Sequence, residues 1–180
     1  MWFRTTRVFL TSGQARGGTS LNAFDNALRQ AGVADFNLIR VTSIVPPGIP
    51  VEHLRDRDIQ GKGILMPAVY ETISSNKAGD VISCAVGVGI SKRESGIIFS
   101  YSCKGTKKEV EHVVRKMVAE GMKAKGYSDY YCDIVSASIV VSRNWGCAFA
   151  SAVFCDKDIE KAMLKPKKQK PGQSRTRRPR

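Results

Sequence analysis

Seven short runs of apolar residues, rich in Val, Ile and Thr, constrain the fold more than any other feature of the sequence. Some alternate with polar residues and others are continuously apolar, and Gly, Pro or polar clusters bound them. Runs of this length and composition are typical of β-strands. We therefore predict strands over residues 6–11, 36–42, 63–73, 80–90, 96–103, 132–142 and 146–154.

Two other segments have the spacing of amphipathic helices. Apolar residues recur at helical intervals after Ser20, which we interpret as the N-cap, up to Gly32, and this pattern predicts a helix over 20–31. Thr106 and Glu109 form a capping box ahead of a valine stripe, which predicts a second helix over 107–125. Because these helices do not alternate regularly with the strands, we expect an α+β layered sandwich rather than a doubly wound parallel sheet.

The composition is that of a soluble globular protein, with 42% hydrophobic and 25% charged residues in a chain of 180. We expect one domain over residues 1–164. No window approaches the roughly 18 consecutive apolar residues of a membrane span, and the first residues lack the order of a secretory signal. The expectation is a cytoplasmic protein with no membrane partner.

Residues 165–180 differ from the rest of the chain. They hold eight Lys and Arg residues and no acidic residue, in a chain whose net charge is +13. Because no apolar residue follows Leu164, we predict a disordered basic tail. Two roles stay open for it, a solvated solubilising tail and a weak nucleic-acid contact driven by counterion release.

The five cysteines and two histidines do not form a recognisable metal site. There is no C-x-x-C pair, so we expect no bound metal and interpret the cysteines as reduced, buried thiols. Two glycine segments are equally weak as ligand motifs. Gly87-Val88-Gly89 indicates close packing of strands, and residues 13–20 are interpreted as a mobile loop, with an anion cradle as the alternative.

The segment from Phe36 to Pro47 is the unusual part of the sequence. A strand ends in Thr42-Ser43, and Pro46 and Pro47 then fix two φ angles just downstream, ahead of a loop predicted over 46–62. A serine hydroxyl at such a junction can attack the carbonyl group before it, and the resulting ester can break by elimination to leave a ketone. On these residues alone, the plain end of a strand is the simpler interpretation.

Several segments, in order and spacing, resemble the pyruvoyl-dependent arginine decarboxylase family. The resemblance extends over residues 18 to about 155. The segments that carry it are Leu21–Asp25, Ala31–Val33, Asn37–Pro47, Gly63–Tyr70, Lys107–Glu109 and Gly146–Ala150.

The resemblance implies a layered αββα sandwich that assembles as a homotrimer with active sites between subunits. It also implies self-cleavage between Thr42 and Ser43 into chains 1–42 and 43–180, with Ser43 becoming a covalent pyruvoyl group. That group would form a Schiff base with the α-amine of L-arginine and replace pyridoxal phosphate as the electron sink while carbon dioxide leaves. The product would be agmatine, a polyamine precursor.

Site residues also follow from the resemblance. Asn37 matches the residue that hydrogen-bonds near the pyruvoyl group, and Asp25 matches the acid that pairs with the substrate guanidinium, with Leu28 as a second substrate-binding residue. Ser100 stands where the family carries the glutamate that donates the proton replacing carbon dioxide. A hydroxyl group is a poor general acid near neutral pH, so water or Tyr101 would have to substitute.

Three functions are therefore open at this point. The first is decarboxylation of L-arginine. The second is a self-processed paralogue with weak activity or another substrate. The third is a catalytically silent protein whose basic tail tethers it to nucleic acid or to an active partner.

Overall fold

The computed structural model describes residues 3–54 and 62–163, except for the side chains of residues 162 and 163. Nine strands and three helices lie within these ranges. In chain order they are β1 (Arg7–Gly17), α1 (Ser20–Gln30), β2 (Asn37–Arg40), β3 (Ile44–Val45), β4 (Val51–His53), β5 (Leu65–Ser75), β6 (Val81–Ile90), β7 (Gly96–Lys104), α2 (Lys107–Ala124), β8 (Tyr131–Val140), β9 (Trp145–Cys155) and α3 (Lys157–Met163).

The strands form two sheets that pack face to face. The first sheet has the order β2-β5-β9-β1-β4 and the second has the order β3-β7-β6-β8. Helix α1 packs against the outer face of the first sheet, and α2 against the outer face of the second. The expected α+β layered sandwich, with a helix on each outer side, is confirmed.

Alternation along the strands divides the apolar side chains between three layers. On β1, Leu10 lies in the core between the sheets, whereas its neighbour Phe9 lies in the layer under α1. On β9, Ala148 and Ala150 face the second sheet, and Phe149 between them packs under α1. This period of two is the pattern that predicted the strands.

The two predicted helices are present, with a correction at the start of α1. Thr19, and not Ser20, is the N-cap, because its backbone is extended and its side chain accepts a hydrogen bond from the Asn22 N–H. Gly32 follows the helix with a φ of 76°, as expected of a terminating glycine. The capping box of Thr106 and Glu109 is confirmed at the start of α2.

The predicted loop over 13–20 is wrong, because β1 continues to Gly17 and pairs with β9 as far as Trp145. The small residues that suggested a loop instead allow α1 to cross closely over the strand. A Cβ atom at Gly17 would lie 2.3 Å from the backbone nitrogen of Ala23. Gly87 acts similarly in β6, where a Cβ atom would lie 2.3 Å from the Val114 side chain of α2. Close packing was predicted here between strands, and that partner is wrong: the close neighbour of Gly87 is helix α2.

Three short elements were not predicted. Strands β3 and β4 have two and three residues, and α3 has seven. Strand β4 falls inside the expected loop over 46–62 because it pairs in parallel with β1, through Val8 and Val51 among others. Residues 55–61 of that loop and the basic tail over 165–180 lie outside the described residues. Within the described ranges, no helix is long and apolar enough to cross a membrane.

Candidate active site

The Thr42–Ser43 bond lies where the chain passes from one sheet to the other. Just before it, the Val41 N–H donates to the Ala68 carbonyl of β5, in the first sheet, at 3.1 Å. Just after it, the Ser43 carbonyl accepts a hydrogen bond from the Ile98 N–H of β7, in the second sheet, at 2.8 Å. The bond is therefore held from both sides across the edge of the sandwich.

The residues after Ser43 continue this anchoring. Ile44 and Val45 pair with Ile97 and Gly96 of β7, and Val45 is buried between the sheets. Because proline lacks an N–H group, the following Pro46 cannot extend the pairing, and strand β3 stops there. Thr42 itself is exposed, and Ser43 is partly buried.

Ser100 lies two residues beyond Ile98 on β7 and contacts a carboxylate from the opposite sheet. Its hydroxyl donates to Glu71 Oε2 at 3.1 Å, and the Ser102 hydroxyl donates to Glu71 Oε1 at 3.2 Å. Glu71 lies on β5 and also accepts a bond from the Thr72 N–H at 3.2 Å. A glutamate thus bridges the two sheets at the position where the sequence indicated only a serine.

The surroundings of Glu71 are partly buried and uncharged. No ion pair to its carboxylate occurs among the residues the structure describes, and its three donors are neutral. The thiol of Cys84 lies nearby on β6. Burial raises the pKa of Cys84, and the neighbouring Cys147 and Glu71 raise it further.

Asp25 and Leu28, the expected substrate-binding residues, lie on α1. Asp25 is partly exposed and pairs with Arg29 one turn later, with both Nε and Nη2 of Arg29 at 2.9 Å from Oδ2. Leu28 is only 9% exposed and packs in the layer beneath the helix. Asp25 therefore already binds a guanidinium group, although one of its own chain.

Asn37 begins β2, and its side-chain amide donates to the Gly63 carbonyl at 2.8 Å. The chain runs extended from Asn37 to Val41, and four residues of strand span roughly 13 Å. Within one chain, Asn37 therefore lies away from Ser43. The structure groups Ser43, Ser100 and Glu71 at one edge, and it leaves Asn37 and Asp25 away from them.

Glu71 was not predicted as a site residue, although the sequence holds a signal for it. It is the one charged residue in the predicted strand 63–73, and it alternates with Val69 and Ile73, which face the inter-sheet core. A charged side chain on the same strand face as core residues requires hydrogen-bond partners in its partly buried surroundings. Tyr101, the expected stand-in for the missing acid, follows Ser100 and therefore projects from the other face of β7.

All five cysteines lie in the described ranges and form no disulfide, and Cys84, Cys147 and Cys155 are buried as expected. Cys103 and Cys132 are only partly buried, so for these two the prediction of burial is wrong. Burial, together with the nearby carboxylates Glu160 and Asp156, raises the pKa of Cys155 to about 12. Residues 3–54 and 62–163 contain no cluster of three or more potential metal ligands. His53 pairs with Asp133 across the other edge of the sandwich at 2.9 Å.

The fold and this site define an α+β two-sheet protein whose polar residues gather where the chain crosses between sheets. Comparison with known proteins gives the family. A family model described as pyruvoyl-dependent arginine decarboxylase matches residues 7–159, and the chain belongs to this family.

Individual relatives agree with the family model. A protein named pyruvoyl-dependent arginine decarboxylase from Thermococcus kodakarensis is 42% identical over 154 residues, which cover 84% of this chain and 96% of the relative. A protein of the same name from Pyrococcus abyssi is 39% identical, with the same coverage. One from Methanocaldococcus jannaschii is 39% identical over 147 residues, covering 81% of this chain and 87% of the relative.

Proposed function

We propose that this protein is a self-processing decarboxylase that converts L-arginine to agmatine and carbon dioxide with a pyruvoyl group made from Ser43. One observation supports this most strongly. This chain belongs to the family, and its Thr42–Ser43 bond is anchored on both sides. The Val41 N–H before the bond donates to β5, and the Ser43 carbonyl after it accepts a hydrogen bond from β7. Such anchoring holds a hydroxyl and the preceding carbonyl in a fixed relation, which favours intramolecular attack.

The chain around Ser43 fits formation of this group. The Ser43 hydroxyl would attack the Thr42 carbonyl carbon, and the peptide C–N bond would break to leave an ester. Loss of the Ser43 Cα proton would then expel the Thr42 carboxylate, and water would replace the nitrogen, which leaves as ammonia. The new chain end would stay in place, because its carbonyl is bonded to the Ile98 N–H.

The pyruvoyl group would supply a ketone that bonds the substrate amine and draws electrons from the α-carbon as carbon dioxide leaves. The chain would provide recognition. Asp25 is partly exposed and presents a carboxylate for the substrate guanidinium, for which bidentate pairing is favourable. Leu28 lies one turn away on the same helix, and the Asn37 amide would offer an uncharged donor.

Maturation tests this function first. We expect purified protein to separate on a denaturing gel into chains 1–42 and 43–180, the longer without a free N-terminal amine by intact mass and Edman degradation. Ser43→Ala should stay uncut, while Ser91→Ala, in the loop between β6 and β7, should be cut normally. A wild-type chain that stays whole after prolonged incubation would refute the proposal, as would a cut protein that releases no carbon dioxide from arginine.

We also propose the homotrimer, with sites shared between subunits. The separation of Asn37 from Ser43 along β2 supports this, because a second copy could bring the two together. Exposed apolar side chains also surround the crossing; they are Ile39, Val41, Ile44 and Leu65. Patches of this kind mark interaction surfaces more often than isolated apolar residues do.

The basic tail is proposed to contact nucleic acid weakly and without sequence preference. Its eight positive charges would release counterions on binding, so the affinity should fall steeply with salt. Comparing the full chain with a chain ending at Leu164 on a generic duplex at two salt concentrations tests this. Equal binding by the two chains would contradict it.

A further inference from the structure

The proposed reaction needs an acid that the chain does not carry at the expected position. When the bond between the α-carbon and the carboxylate breaks, carbon dioxide leaves and the electron pair remains on the substrate side. A proton must then reach the α-carbon before the amine is released. Ser100 holds its proton too tightly near neutral pH to deliver it.

We propose that Glu71 is the general acid of this enzyme, and that its carboxyl group protonates the α-carbon of the substrate after carbon dioxide has left. This rests on the proposed decarboxylase function. The carboxyl group comes from β5 of the first sheet, whereas Ser100 lies on β7 of the second. Glu71 recovers its proton from solvent at the open edge of the sandwich.

The position of Glu71 relative to Ser43 follows from the two strands that anchor the crossing. Ser43 bonds to Ile98 on β7, and Ser100 lies two residues further, or roughly 7 Å along the strand. Ile98 and Ser100 face the same side, toward the other sheet. The Glu71 carboxylate is hydrogen-bonded to that serine and is therefore delivered to the same edge and the same face as Ser43.

The small side chain of Ser100 makes this arrangement possible. A glutamate at that position would occupy the space that the Glu71 carboxylate fills, and two carboxylates in contact would repel each other. Ser100 and Ser102 instead donate one hydrogen bond to each oxygen and hold the group in a defined orientation. The carboxyl group therefore comes from β5, and not from β7, where the resemblance leads us to expect it.

Other acids in the described part of the chain are placed elsewhere. Asp133 pairs with His53 across the edge between β4 and β8. Glu111 lies on α2 and accepts a hydrogen bond from Ser136 on the outer side of the second sheet. Tyr101 lies on the face of β7 turned away from Ser100. Glu71 is the carboxylate that the geometry brings to the crossing.

The test compares Glu71→Gln with wild type in the cut, full-length protein. The amide keeps the size of the side chain, an oxygen that accepts from one serine hydroxyl and an NH2 group that can donate to the other, so self-cleavage and folding should be unchanged. We expect kcat for arginine to fall by about 10²- to 10⁴-fold, the usual contribution of general acid catalysis. KM and covalent trapping of arginine by borohydride, followed by intact mass, should change little. Glu94→Gln, an exposed loop carboxylate, is the matched control.

A second readout does not depend on the rate. Without an acid at the substrate α-carbon, protonation should occur more often at the alternative site. That site is the carbon of the enzyme's own pyruvoyl group that is bonded to the substrate nitrogen. Hydrolysis by water then releases an aldehyde and leaves the substrate nitrogen on chain 43–180 as a free amine. We expect Edman degradation to detect this new N-terminal amine during turnover by Glu71→Gln, and much less of it in wild type.

Rescue completes the design. Adding Ser100→Glu to Glu71→Gln should raise kcat at least tenfold above that of Glu71→Gln alone, because it returns a carboxyl group to the same point from the other strand. Glu71→Asp keeps the carboxyl group on a shorter side chain and should lower kcat without changing KM. This variant replaces Glu71→Gln in the test if the glutamine variant does not fold.

Two results would overturn the proposal. One is a Glu71→Gln protein with kcat within about twofold of wild type, against the expected general-acid contribution. The other is a folded variant that remains uncut, which would assign Glu71 to maturation. Failure of the underlying function is distinguishable, because wild-type protein itself would then release no carbon dioxide from arginine, and both proposals would fall.

Discussion

Among single residues, Asp25 combines a proposed binding role with an existing partner. The pair with Arg29 is exposed, with 66% of the Arg29 side chain accessible, so it contributes only about 0.2–1 kcal/mol to folding. A bound substrate would present the same guanidinium group as Arg29. Arg29 is therefore an internal competitor for the carboxylate.

This competition predicts opposite effects of two substitutions. Asp25→Asn should raise KM for arginine tenfold or more, since a charged hydrogen bond contributes about 1.5–3 kcal/mol. Arg29→Gln should lower KM by a few-fold, because Asp25 no longer has to release a partner. Steady-state kinetics on the cut protein measure both, and Asp35→Asn in an exposed turn is the control. A higher KM in Arg29→Gln would mean that Arg29 helps to bind the substrate.

The contact between Glu71 and Ser100 shows which part of the site the sequence could not provide. The resemblance indicated a departure at Ser100, and the strand predicted over 63–73 contains Glu71 without assigning it a role. The two residues are 29 positions apart, on strands of different sheets. Their contact depends on how β5 of one sheet lies over β7 of the other, and strand periodicity carries no information about sheet order.

Among the elements, the long strands and the two long helices were predictable because their own side chains determine them. Strand β3 has only two residues, and it exists because β7 offers it backbone partners. Strand β1 was predicted to end six residues too early, since its last residues are small and packed under α1 rather than large and apolar. In both cases the neighbouring element, and not the local sequence, sets the boundary.

The start of α2 yields a prediction about pH. Hydrogen bonds from the Thr106 backbone N–H and hydroxyl lower the pKa of Glu109 below its ordinary value. Because the pKa is lower in the folded state, the ionised carboxylate stabilises folding above its unfolded pKa, and this is lost as the pH falls through the lowered value. We therefore expect Glu109→Gln to reduce the free energy of unfolding near neutral pH.

Urea unfolding at about pH 7 and about pH 3 measures this effect. The difference between wild type and Glu109→Gln should shrink at the lower pH, because protonation of Glu109 removes the charge that the hydrogen bonds from Thr106 stabilise. Glu120→Gln, further along the same helix and exposed, should show no such dependence. A Glu109 difference that is the same at both pH values would argue against the cap as its source.

For the whole molecule, the proposed sharing of each active site between two subunits predicts that inactive variants complement each other. Asn37→Ala and Ser43→Ala should each lack activity as separate assemblies. If a site takes Ser43 from one copy and Asn37 from another, co-expression should restore a part of the activity, since some interfaces then contain both intact residues. Mixing after separate purification is the control, and no recovery in any mixture would place both residues of a site in one chain.

The position of β1 within the first sheet bears on whether the mature protein could refold once it has unfolded. Chain 1–42 would contribute β1, which lies between β9 and β4 and pairs with β9 through eleven residues. Before cleavage, folding is a first-order process within one chain. After cleavage, any refolding is a second-order encounter of two fragments, and it slows as the protein is diluted. The mature form would therefore depend on slow unfolding rather than on reversible equilibrium, and each molecule would fold effectively once.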